Sequence, residues 1–200
     1  MAVTFDFDSE KAIAAIVYLA SKGLHGLTKY KICKLLFLAD KNHLVRYGRP
    51  ITGDRLCAMP HGPVPSRILN LLDEVIKGDF ADRMTTADAK RLAESVEVER
   101  IYHNPHFRAI KDASAGVLSV SDIGAIDAVV YEYGNKTFGE LKSMTHELYA
   151  YKKAWSERSN NAPPISYEDL FEEDDEALEG AREEMIENHQ LRNAFGNAGV

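Results

Sequence analysis

Two hundred residues are enough for one domain with an appendage, and a composition of 45% hydrophobic and 28% charged residues excludes a disordered or fibrous chain. The formal net charge of −7 is confined to one end, since residues 1–170 carry 22 acidic and 22 basic side chains and residues 171–200 nine and two. An electroneutral body with an acidic end speaks against general nucleic-acid binding, which draws most of its affinity from phosphate neutralisation.

The opening MAVTFDFDSEK lacks the basic-then-apolar pattern of a signal peptide, and apolar runs such as residues 12–20 are too short to span a bilayer. A cytoplasmic protein with no membrane partner is expected. Asp8 or Ser9 caps a first helix, with Ile13, Ile16, Val17 and Ala20 at helical spacing and Gly23 and Gly26 closing it. Thr28 caps a longer second helix that places Ile32, Leu35, Leu36, Ala39, His43 and Tyr47 on one face and ends at Gly48. Its basic run (Lys29, Lys31, Lys34, Lys41, Arg46, then Arg49 and Arg55) reads as a solvated face; a groove for an acidic segment is the sharper alternative.

Residues 49–66, RPITGDRLCAMPHGPVPS, change character. Residues 55–59 read as a short strand, and Pro60, Gly62, Pro63 and Pro65 as a rigid loop, because proline fixes φ and restricts its predecessor. Such preorganisation suits recognition. A third helix follows, with Ile68, Leu72 and Val75 on its buried face and Gly78 as its stop. A short helix over residues 87–94 precedes two strands, one alternating Val96 and Val98 with glutamates, one returning at residues 107–111 after a turn at Asn104-Pro105.

Three boxes of the Ser/Thr-x-x-Asp/Glu type announce helix starts: Ser119 with Asp122, Thr137 with Glu140, and Ser166 with Asp169. Trp155 falls in a short helix. Residues 160–164, NNAPP, mark a linker, and residues 174–195 an acidic helix. The expected organisation is a mainly α (α+β) fold: a compact helical domain with a small antiparallel β-sheet over residues 1–158, a linker over 159–167, and an acidic C-terminal extension over 168–200.

No phosphate-binding glycine loop, dinucleotide fingerprint or Gly-x-Ser-x-Gly elbow is present. Cys33 and Cys57 read as buried free thiols, and His103 and His106 as surface histidines rather than metal ligands. An enzyme would have to draw on Asp40, His43, His61 and His146. The simpler reading is that His43 bonds to backbone at the core edge while Asp40 is solvated. No cofactor and no metal are expected.

KLLFLADKNHLVRYGRPITGDRLCAMPHGPVPS (residues 34–66), followed in order by LSVSDIGAIDAVVYEYG (residues 118–134), Leu141-x-x-x-Thr145-His146 and Trp155, closely resembles the Panacea domain, also known as the SocA-like antitoxin domain or phage-associated GepA family. The resemblance covers about residues 10–157. It implies a compact helical domain with a small sheet, found in bacteria, phages and mobile elements. It also implies an antitoxin that neutralises an adjacently encoded toxin by direct contact, or, in one branch, an adaptor that delivers the toxin to the ClpXP protease. It supplies no catalytic residues and does not reach the acidic extension. A partner surface is therefore expected around Asp54, Arg55, Met59, His61, Val64 and Arg67, joined by His146 and Trp155.

Overall fold

The structure, a computed structural model, describes residues 3–79, 86–171 and 179–196. Asp8 accepts a hydrogen bond from the Lys11 backbone N–H and starts α1 (Ser9–Ser21), a helix buried along most of its length from Ala12 to Ala20. Thr28 caps α2 (Lys29–Tyr47), and Gly48, at φ 64°, ends it with its N–H donating to the Leu44 carbonyl. Twelve residues of α2 are buried, and α1 and several of the elements that follow pack on it. This helix is the axis of the core.

β1 (Leu56–Met59) and β2 (Gly62–Pro65) form an antiparallel hairpin whose two-residue tip is Pro60-His61. Four of the six residues of the rigid loop expected at 60–65 are thus strand. Pro63 and Pro65 face Ala58 and Leu56, and those two residues direct their own backbone bonds to the other side, with Ala58 N–H donating to Pro163 O and Ile165 N–H donating to Leu56 O. A proline opposite such a position forfeits no ladder bond, so β2 can carry two of them.

The hairpin runs directly into α3 (Ser66–Lys77), which has no side-chain cap of its own at Pro65. After α4 (Ala87–Ala93), β3 (Val96–Ile101) and β4 (Asn104–Ala109) form a second, separate antiparallel hairpin. Its turn is Tyr102-His103, not Asn104-Pro105, because Ile101 pairs with Asn104. Phe107 and Val96 sink into the core beneath it, and Phe107 N–H donates to Leu27 O.

Ser119 and Thr137 each complete a reciprocal capping box, opening α5 (Val120–Tyr133) and α6 (Phe138–His146). Next comes α7 (Tyr149–Ser156). The third box opens no α-helix: residues Glu168–Leu170 make one 3-10 turn. Burial explains why, for Ile165, Tyr167, Leu170 and Phe171 are all core residues, and Tyr167 donates its hydroxyl to Asp54 O at 2.6 Å. From Pro163 on, the stretch expected as a linker therefore lies along β1 as packed chain, while residues 159–161 are exposed. The acidic helix is α8 (Glu179–Gly196); residues 174–178, expected within it, lie outside the described residues. Met185 of α8 is fully buried, and Glu184 and Met185 lie close over Gly48 at the end of α2.

Candidate partner-binding site

The site begins at the loop between α2 and β1, which three buried side chains pin to the helices. Asp40 accepts bonds from the backbone N–H groups of Ile51 (2.8 Å) and Thr52 (3.0 Å) and from the Thr52 hydroxyl (2.7 Å). Burial pushes its carboxyl up to about 6, although these three bonds pull the other way. His43 places Nδ1 2.7 Å from Arg49 O and Nε2 3.0 Å from Ser121 Oγ. A carbonyl accepts only, so Nδ1 carries the proton, and burial lowers the pKa of the ring. Asp122 sits beside it, fully buried, with Lys11 Nζ at 2.8 Å. The second Asp122 oxygen lies 3.2 Å from His43 Nε2 and 3.3 Å from Arg49, aligned for a hydrogen bond with neither.

Asp54 does for α3 what Pro65 cannot. Its carboxylate accepts from Arg67 N–H (2.9 Å) and Ile68 N–H (2.8 Å), capping the helix from 13 and 14 residues upstream in sequence. The β1–β2 hairpin is held from below by Lys34, whose ammonium donates to Pro63 O at 2.6 Å. Lys34 is 1% exposed, and burial brings its ammonium down to about 7. Tyr151 donates to Met59 O at 3.1 Å from the other flank. Tyr151 stacks with the His146 ring (4.4 Å, 24°) and with Trp155 (5.9 Å, 12°), and the Arg158 guanidinium lies over Trp155 at 4.3 Å.

What reaches the surface is aromatic. His61 at the hairpin tip, Tyr30 in the first turn of α2 and Phe138 at the start of α6 form a triangle of rings 5.8–6.1 Å apart. Tyr30 is 39% and Phe138 41% exposed, and His61 is exposed too. Across the hairpin, Arg55 and Arg67 line a cleft of about 540 Å³ whose walls include Phe5, Phe7, Leu56 and Tyr167. Met59 joins the same two arginines in an adjoining groove.

Six of the eight expected contact residues are thus available: Arg55, His61 and Arg67 exposed, Met59, His146 and Trp155 partly so. Asp54 and Val64 are not. Asp54 is spent on capping α3, and Val64 faces inward on β2, so neither can touch a partner. Tyr30 and Phe138 were missing from the expected surface; their signal is that both stand off the apolar stripe of their helices. The solvated basic face also needs correction, because Lys34 is buried against the hairpin and Lys31 is buried with its ammonium on His25 O.

The four residues of the hydrolase alternative do not converge. Asp40 and His43 are each committed to separate backbone and hydroxyl groups, and Asp40 is buried rather than solvated. His61 and His146 lie instead around Lys34, six residues and about 9 Å along α2. Both cysteines are buried, and burial pushes the Cys33 thiol up to about 12, the reverse of nucleophile activation. Among the described residues there is no group of three or more His, Cys, Asp or Glu side chains able to hold a metal ion, and no helix long and apolar enough to cross a membrane.

The chain is a mainly helical domain with two small hairpins and a cluster of aromatic rings at its surface. The family model of the SocA-like antitoxin, Panacea domain, matches residues 32–156, well over half of the chain, and the protein belongs to that family. The match starts inside α2 and ends at the last residue of α7, so it takes in both hairpins and leaves out α1 and α8. Comparisons with curated proteins and with solved structures gave no match.

Proposed function

We propose that this protein is an antitoxin that neutralises a cognate toxin by direct protein–protein contact, with the surface around the β1–β2 tip as its contact face. Membership of the SocA-like antitoxin family is the observation that carries the toxin-binding role. The aromatic triangle of Tyr30, His61 and Phe138 supports this location, because large exposed rings on a braced backbone lose little entropy on binding. Lys34, Tyr151 and Asp54 do the bracing, from three sides. Arg55 and Arg67 add charge at the edge of an apolar cleft, a setting that suits an acidic rim on the toxin. Neutralisation then needs no chemistry: the toxin's working surface is covered.

The test is co-expression with the product of the neighbouring gene. Growth should be restored by the wild-type protein and the two chains should co-purify, whereas Tyr30→Ala/Phe138→Ala should lose both effects while remaining folded. Persistent growth arrest without a complex would sink the proposal.

A further inference from the structure

Tyr102 and His103 are the only non-glycine residues at positive φ among those described, at 47° and 67°. They are adjacent, and they are the two central residues of the β3–β4 turn. A two-residue hairpin turn with positive φ at both positions is the type I′ arrangement, for which Asn-Gly is the favoured pair. Tyrosine suffers steric conflict there between Cβ and the carbonyl. Nothing inside the protein offsets it. Tyr102 is 92% exposed, and neither its hydroxyl nor the His103 ring bonds to any described residue. Ile101 beside it is also exposed.

The stalk beneath this tip is firm. Phe107 and Val96 are buried, Phe107 N–H donates to Leu27 O at 2.9 Å, and Ile110 N–H donates to Ser95 O at 2.9 Å. His106 forms an isolated bridge with Thr28, two residues from Tyr30 of the aromatic triangle. The hairpin therefore leaves the body beside the surface assigned to the toxin. Along it, Glu97 is paired with Arg108, and Glu99 stands opposite His106. Arg100, opposite Pro105, has no ion pair among the described residues and is exposed. A strained, outward aromatic on a rigid stalk, with an unpaired cation next to it, is an arrangement built to be completed by another molecule.

We infer that the Tyr102-His103 turn is a second contact of the antitoxin, inserting Tyr102 into an apolar pocket of the toxin that offers an acceptor to the phenol and acidic groups to Arg100. This role rests on the antitoxin function proposed above. The tip keeps a poor turn residue because the side chain is needed outside the protein, so fold stability and toxin binding should respond in opposite directions to its replacement.

Tyr102→Asn/His103→Gly installs the favoured turn pair and separates the two effects. Its Tm should equal or exceed that of wild type, while its dissociation constant for the toxin encoded by the neighbouring gene should rise at least tenfold and growth rescue should weaken accordingly. Tyr102→Ala should weaken binding similarly without the gain in Tm. A turn variant that binds and rescues like wild type overturns the inference while leaving the antitoxin function standing; so does a variant with a lowered Tm, because the turn is then not strained. Failure of the wild-type protein itself to bind or rescue overturns the antitoxin function, and this inference with it.

Discussion

Lys34 and Gly62 fit together only because Gly62 has no side chain: a Cβ there would lie 2.7 Å from the Lys34 ammonium and 2.9 Å from Thr145 Oγ1. Gly62 also stands at φ 96°, a conformation closed to ordinary residues. Both constraints meet beside the tip of the β1–β2 hairpin. Gly62→Ala should therefore cost about 3 kcal/mol, combining backbone strain with overpacking. Gly78 has a similar positive φ of 68° but open space around it, so Gly78→Ala should cost about 1 kcal/mol. Thermal unfolding of the two variants distinguishes the contributions, and equal losses would mean that the approach of Lys34 is unimportant.

Lys34 makes stability depend on pH in a direction opposite to that of most ion-paired lysines. Its folded pKa, about 7, lies below the ordinary 10.5 because burial disfavours the charged form. Between those values the unfolded chain binds more protons than the folded one, so this group destabilises the fold fully below pH 7 and progressively less up to pH 10.5. The slope from this group is at most about 1.4 kcal/mol per pH unit. Urea titrations of wild type and Lys34→Met across pH 6–10 should show the rise in wild type and its loss in the variant. A wild-type stability that falls over that range, with no difference between the two, would contradict the assignment.

Asp54 should behave as a helix cap delivered from a distance. Asp54→Ala leaves the Arg67 and Ile68 N–H groups without their acceptor and should cost about 2–4 kcal/mol. Because the carboxylate also precedes β1, amide exchange should accelerate first at the start of α3. Protection unchanged at Arg67 and Ile68 would show that another group supplies the cap.

Much of the helical frame was legible because it is written locally. Asp8, Thr28, Ser119 and Thr137 cap the helices they were expected to cap, and the α2 stripe from Ile32 to Ala39 is buried as its spacing predicts. Apart from the β3–β4 turn, which was displaced by two residues, the misreadings share a cause, namely partners distant in sequence. Whether Pro63 and Pro65 end a strand depends on which way Leu56 and Ala58 direct their bonds, and that is settled by residues 163–165. Ser166 and Asp169 look like a helix start, but Tyr167 and Phe171 are drawn into the core before a helix can form. A buried lysine such as Lys34 carries no local mark at all; its acceptor is Pro63, 29 residues away. Of the proposed contact surface, the arginines and His61 were readable from the unusual hairpin, whereas Tyr30 and Phe138 become visible only when three elements converge.

Contact through the aromatic triangle should also be separable from contact through the cleft. Tyr30→Ala and Phe138→Ala should each weaken toxin binding by about 1–2 kcal/mol, as for central aromatic anchors. Arg55→Ala and Arg67→Ala should chiefly slow association and reduce its sensitivity to salt, as for charges at an interface rim. Surface plasmon resonance at two ionic strengths measures both. The opposite pattern, with the arginines governing dissociation and the aromatics silent, would move the contact face to the cleft.

The most direct measurement mixes the purified protein with its purified toxin and follows toxin activity and complex size together. Direct neutralisation predicts that activity falls to zero at a fixed molar ratio, with a single co-eluting complex and no additional protein present. A toxin that stays fully active beside folded, wild-type protein, or one that is silenced only when a protease is added, would contradict neutralisation by contact.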